Sequence, residues 1–311
     1  MNLSSGCYGK VPIHGDFIRH NVTGAEIDQL DDWLQAGILS SRQTLGASWD
    51  ASFDASRPQR FLYRSPAGGR TIAGVIAASK DKPGRRFPFL VFTPLDAKTA
   101  PGDATVLPAA LEPFFRSAEE EILNGWQGKD LKSYLSRLDA IALPSDLEEG
   151  RKAIMNFVAG GTNQSFWAHL FGNPDDFRKY LLIHNLVETL RPGSVPKYAL
   201  RIPRVSAGAE VSFWLELCRK LGRREQVPTL ALWGPGRADD AGGLTLVLDD
   251  LLSKYFLPLW WPERSNQLLF PLAEGTNAQD PRAQQARSRY ASLLDDGALR
   301  LSSLMVRLTS S

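Results

Sequence analysis

Only two cysteines, Cys7 and Cys218, occur in 311 residues, far apart and in no CxxC arrangement. A disulfide scaffold or thiol-rich metal site is not indicated, and a reducing compartment suits the chain. Apolar runs are short. None approaches the ~20 residues of a membrane helix, and Met1–Val11 carries no apolar signal-peptide segment. A one-sided charge is missing too: 36 Lys plus Arg against 34 Asp plus Glu leaves +2, without the positive excess that phosphate-backbone binding needs. A cytoplasmic location is therefore expected, with neither membrane insertion nor nucleic-acid binding.

Chemistry-bearing motifs are also scarce. The four histidines, His14, His20, His169 and His184, are scattered, with no HExxH, so no metal site of local spacing is expected. No GxSxG elbow occurs. Gly9-Lys10 invites a phosphate-loop reading, but Ser4 stands where the leading glycine belongs and Val11 replaces the Ser/Thr that would hold magnesium. Paired aspartates at 31–32, 175–176, 239–240, 249–250 and 295–296 fit helix caps and turns better than a metal cluster. No catalytic, metal or cofactor residues are assigned.

What is present is the makings of a core: 43% hydrophobic residues, in a chain long enough to hide roughly 75% of its unfolded surface. Ile27, Leu30, Leu34 and Ile38 recur at helical spacing and predict an amphipathic helix from about 25 to 45. Three β-rich segments follow near 60–65, 71–78 and 88–93. Pro66–Arg70 closes the first two as an antiparallel hairpin. Ser79–Phe87 forms a basic loop around Pro83-Gly84. Pro113 opens the next helix and Gly125 ends it, with short helices near 130–138 and 146–158.

Gly160-Gly161-Thr162-Asn163 is the best candidate boundary. Beyond it, a helix carries Phe177, Tyr180, Leu181, His184 and Val187 on one face, and Tyr198, Leu200 and Ile202 alternate as a strand. Another helix holds Val211, Trp214, Leu215 and Cys218, before strands near 227–233 and 243–249 and a polar stretch at 274–289 entering a helix. Tyr255-Phe256 and Trp260-Trp261 read as core, with a partner surface as the alternative. The expected fold is α/β: a layered α/β/α sandwich with a mainly antiparallel mixed sheet in residues 1–140, followed by a second, smaller α/β module at 160–311.

The opening Gly9-Lys10-Val11-Pro12-Ile13-His14-Gly15-Asp16-Phe17 is similar to the GK-x-P-x-x-GDF signature of the TagF family. Asp32-Trp33-Leu34, Ser41-Arg42, Leu45-Gly46, Trp49, Arg60-Phe61 and Gly74 follow in the family's order. Ser79-x-Asp81-x-x-Gly84-Arg85-Arg86-Phe87-Pro88 resembles its S-x-D-x-x-GR-x-FP element. Residues 18–21 lack the Leu-Pro pair expected there, and the likeness thins beyond about residue 125.

The resemblance implies a non-enzymatic, post-translational repressor of the bacterial type VI secretion system that binds a cytoplasmic forkhead-associated scaffold protein. Among the signature residues, Gly9, Gly15, Gly74 and Gly84 suit turns or close packing, and Trp33, Trp49, Phe61 and Phe87 suit core. Lys10, Asp16, Arg42, Asp81, Arg85 and Arg86 fit either an internal charge network or a recognition surface. The alternative function is an enzyme or nucleotide-binding switch using Lys10, Asp16 and Asp81, which requires those three to converge in a concave site.

Overall fold

A computed structural model describes residues 4–65, 69–95, 101–191, 193, 196–205, 207–223, 228–234, 242–262, 267–275 and 277–310. The tip of the expected Pro66–Arg70 turn and the Asp239-Asp240 pair lie outside the described residues. Among the described residues there are nine strands: β1 (Gly6–Gly9), β2 (Ile18–His20), β3 (Gln59–Arg64), β4 (Thr71–Ala77), β5 (Phe89–Leu95), β6 (Ala199–Pro203), β7 (Leu230–Gly234), β8 (Gly243–Val247) and β9 (Leu269–Pro271). They form one sheet in the order β2-β1-β5-β4-β3-β7-β8-β6-β9. Every neighbouring pair is antiparallel except β6 with β9.

The helices are α1 (Glu26–Leu45), α2 (Trp49–Asp54), α3 (Pro101–Ala104), α4 (Leu107–Ala110), α5 (Glu112–Glu120), α6 (Leu131–Asp139), α7 (Glu148–Gly160), α8 (Asn163–Phe171), α9 (Arg178–Thr189), α10 (Gly208–Leu221), α11 (Phe256–Trp260), α12 (Pro281–Leu294) and α13 (Leu301–Thr309). They cover both faces of the sheet, so the layering is α/β/α with a mainly antiparallel sheet. None is long and apolar enough to cross a membrane among the described residues.

Strand periodicity sorts the two cores, since successive side chains point to opposite faces. In β4, Ala73, Val75 and Ala77 join the core beneath α4–α10, α12 and α13, whereas Ile72 and Ile76 join the core beneath α1, α2 and α11. In β5, Phe89 and Val91 face the first, and Leu90 and Phe92 the second. The second core is completed late in the chain. Trp33 packs on Phe256 with ring centroids 5.4 Å apart, and Trp49 meets Trp261 edge-on at 5.5 Å. Trp260 and Trp261 are buried, as the core reading of that aromatic group expects. Gly37 sits mid-helix in α1, where glycine costs roughly 1 kcal/mol against alanine. A Cβ there would lie 2.4 Å from the Cβ of Phe256, so the close approach of α11 requires it.

The sheet does not stop at the boundary expected near residue 160. β3 of the first half pairs with β7 of the second, Arg60 opposite Trp233 through Tyr63 opposite Leu230. Arg60 turns into the first core, buried, with its guanidinium over Phe115 and bonded to Glu112 and Glu119 of α5 at 2.8 Å each.

Gly160 and Gly161 themselves are stitched to the connection between α12 and α13. Arg300 donates to Gly160 O (3.1 Å), Leu301 N–H to Gly161 O (3.1 Å), and the buried Asn163 side chain to Leu293 O and Asp296 O (2.8 and 2.9 Å). A protease needs several residues of chain freed from such bonds. Limited proteolysis should therefore leave Gly160–Gly161 intact while exposed loops are nicked; preferential cleavage there, releasing two stable fragments, would make the halves independent units.

Candidate functional site

Between β1 and β2 the segment Lys10–Phe17 lies against the Ser79–Phe87 loop that joins β4 to β5. The loop is a small ordered turn: Asp81 N–H donates to Arg85 O (3.1 Å), Gly84 N–H to Asp81 O (2.8 Å) and Phe87 N–H to Ser79 O (3.0 Å). Two bonds tie it to the opening segment, Lys82 N–H to His14 O (2.8 Å) and the Arg85 guanidinium to Gly15 O (2.7 Å).

At the centre is an ion pair shut away from water. Lys10 Nζ lies 2.9 Å from Asp81 Oδ2, with side chains 8% and 0% exposed. Asp81 also accepts the Arg85 backbone N–H and its Nε, both at 2.7 Å. Burial alone would push the Asp81 carboxyl up, but the bonds from Lys10 and Arg85 outweigh it and hold the group at about 2. Lys10 also lies 5.0 Å from the centre of the Phe17 ring. That ring packs against Tyr8 and Phe87 at 6.0 and 4.9 Å, yet is 41% exposed.

The neighbouring wall comes from the end of α1 and from α2. Arg86 bonds Asp54 through Nε and Nη2 (2.8 and 2.7 Å) and reaches Asp50 at 3.0 Å. These two aspartates sit one helical turn apart and so share a face. Arg42 is exposed and lies over Trp49, its guanidinium carbon 5.6 Å from the ring centre; among the described residues it has no ion pair. Lys10, Arg42, Trp49, Asp50, Arg85 and Arg86 thereby border an open cleft of about 680 Å³.

Of the six charged signature residues, five are brought together: Lys10, Asp81, Arg85 and Arg86 in ion pairs, and Arg42 on the rim. Asp16 is not among them. It is exposed, and its carboxylate accepts the N–H of Phe17 at 2.9 Å. Lys10, Asp16 and Asp81 thus do not converge as the enzyme alternative requires. Asp50, Asp54 and the exposed Phe17 were not singled out from sequence. The i, i+4 spacing of the aspartates on a short amphipathic helix was the available signal for the first two.

Other titratable groups lie apart from this cleft. His20 bonds Asp139 at 2.7 Å, His169 is 3.4 Å from Glu210, and His184 packs near Tyr290. Among the described residues no three His, Cys, Asp or Glu side chains gather as metal ligands would.

The architecture is thus a three-layer α/β/α protein with a mainly basic cleft assembled from its first ninety residues. Residues 6–141 match the TagF N-terminal domain, described as type VI secretion system-associated. No curated protein matches the chain. A crystal structure of PA0076 from Pseudomonas aeruginosa PAO1 is similar at 26% identity and a TM-score of 0.41, over 45% of this chain and 64% of that one. The match spans less than two thirds of that protein's length.

Proposed function

We propose that this type VI secretion-associated chain is a non-enzymatic repressor that acts after translation, by binding a cytoplasmic forkhead-associated scaffold protein of the apparatus through the cleft face. The observation that carries the reading is the division of labour among the signature charges. Lys10 and Asp81 neutralise each other in the interior, while Arg42, Arg85 and Phe17 are presented to solvent around them. Exposed arginine and aromatic side chains on a rigid, ion-paired base are what protein-binding hot spots are made of. A partner offering carboxylates suits the rim, where Arg42 has no acid of its own among the described residues.

Capture of the scaffold from cells that carry the secretion system tests this directly. Arg42→Ala, and separately Arg85→Ala with Arg86→Ala, should weaken capture by roughly tenfold or more. The melting temperature of Arg42→Ala should shift little, because Arg42 has no ion pair to lose among the described residues, whereas Arg85→Ala with Arg86→Ala removes one of the two cations on the buried Asp81 and should lower it. Undiminished capture by both variants would remove the cleft from the interface.

A further inference from the structure

Away from the signature face, the ends of α9, α10 and α13 converge on the flank of α12 around a second cleft of about 590 Å³. That lies within the roughly 300–1,000 Å³ typical of small-molecule sites. Among the described residues its charged lining is of one sign: Arg191, Lys220, Arg223, Arg289 and Arg307 contribute, and no Asp or Glu does. The nearby carboxylates are shared. Glu188 meets Arg191 at 2.5 Å and Arg289 at 2.8 Å, and Glu216 meets Arg219 at 2.8 Å and Lys220 at 3.5 Å. Arg223 pairs with no carboxylate among the described residues.

Cations often gather at helix C-termini to complement the helix dipole, so their position alone would mean little. Here the terminal carbonyls are already served. Gly222 N–H donates to Cys218 O (3.0 Å), Arg223 N–H to Lys220 O (3.2 Å), Ser310 N–H to Val306 O (3.0 Å) and the Thr309 hydroxyl to Met305 O (2.9 Å). The Arg223 guanidinium is left over from that task. Its backbone sits at φ +47°, in the left-handed region that costs a residue with a Cβ and favours glycine. Arg289 lies over Tyr290, 5.3 Å from the ring centre. The Tyr290 hydroxyl is buried and takes no hydrogen-bond partner among the described residues; such a group in a folded protein calls for an explanation.

We propose that this cleft binds a small phosphorylated molecule of nucleotide size, its phosphate held by Arg223 and Lys220 among the surrounding cations and its ring on Tyr290 and Leu293. Guanidinium groups offer planar paired donors that match phosphate oxygens, and a doubly charged phosphate answers a cation excess that one carboxylate would not. The apolar part of the wall gives an attached ring a place to lie. The inference is independent of the scaffold-binding reading, because the two clefts share no residue.

Calorimetry on the purified full chain, with ADP, inorganic phosphate, adenosine and a short glutamate peptide as probes, decides it. ADP and phosphate should bind, ADP roughly tenfold or more tighter than adenosine, with affinity falling as salt rises. Arg223→Gly relieves the left-handed backbone, so its melting temperature should hold or rise while ADP affinity drops roughly tenfold. Tyr290→Phe keeps the ring, so it should hold its melting temperature and bind ADP as the unaltered chain does. No heat from ADP or phosphate at millimolar concentration would overturn the proposal, as would tighter binding of the peptide than of ADP. Equal ADP affinity in the Arg223→Gly chain would do so too, and a fall in its melting temperature would assign the arginine to the fold.

Discussion

Gly9→Ala should be among the most damaging single-methyl changes in the chain, at about 3–5 kcal/mol from backbone strain and overpacking together. Gly9 closes β1 at φ +118°, opposite Phe89 on one side and Ile18 on the other. A Cβ there would lie 2.0 Å from the Pro88 carbonyl oxygen and 3.0 Å from the Phe89 Cα. Both obstacles are backbone, at and just before the start of β5, so no side chain can swing away to make room. The cost also reaches the cleft, because Gly9 aims the next residue, Lys10, at Asp81. Urea unfolding of the purified variant measures it. A loss under about 1 kcal/mol would mean that β1 is free to shift and does not anchor the site.

Lys10→Met should follow, with a melting temperature lowered by roughly 5 °C or more, because it strands the Asp81 carboxylate in the interior beside a single remaining cation. Replacing both partners, Lys10→Met with Asp81→Leu, should recover much of the loss, since a buried ion pair and a packed apolar pair are often close in stability. The pH dependence carries the same signature. Asp81 titrates at about 2 in the fold against an ordinary value of 3.8. The stabilisation it contributes is therefore present in full above about pH 4 and lost as pH falls through 2. Without Lys10 the part it supplies is lost and the Arg85 bonds keep the rest, so the gap between Lys10→Met and the unaltered chain should be widest near neutrality and narrow between pH 4 and 2. A reactive lysine would behave differently: its loss would abolish function and leave the melting temperature and its acid dependence untouched.

Much of the first half was legible because each element buries one clear face. The α1 pattern of Ile27, Leu30, Leu34 and Ile38 is the buried stripe of Glu26–Leu45, and the three β-rich segments are β3, β4 and β5 within a residue or two. β1 and β2 were missed: four and three residues long, they offer too few alternations for a period to show, and β1 begins and ends in glycine. The joining of the halves was also invisible. β3 reads as a hairpin strand from its own sequence, and nothing local says that its other edge pairs with β7 rather than facing solvent. The same holds for Gly160–Gly161, which look like a linker but are held by hydrogen bonds from the Arg300 side chain and the Leu301 backbone.

The site was partly legible. Lys10, Asp81, Arg85, Arg86 and Arg42 stood out as polar residues within a signature, but their sorting into an interior pair and an exposed rim depends on how the Ser79–Phe87 loop folds back on the opening segment. Asp16 shared the signature and not the network. Its neighbour Phe17 is exposed as well.

Secretion output measured while the cellular ratio of this protein to its scaffold is titrated tests the central claim most directly. A repressor that occupies its partner must approach the partner's concentration and the dissociation constant before it acts. Secretion should therefore fall in step with the ratio, reach its floor near equivalence without loss of the structural components, and shift to higher ratios for Arg42→Ala. Complete silencing by a trace of the protein, abolished by substitutions at Lys10, Asp16 or Asp81 that leave scaffold binding intact, would contradict it.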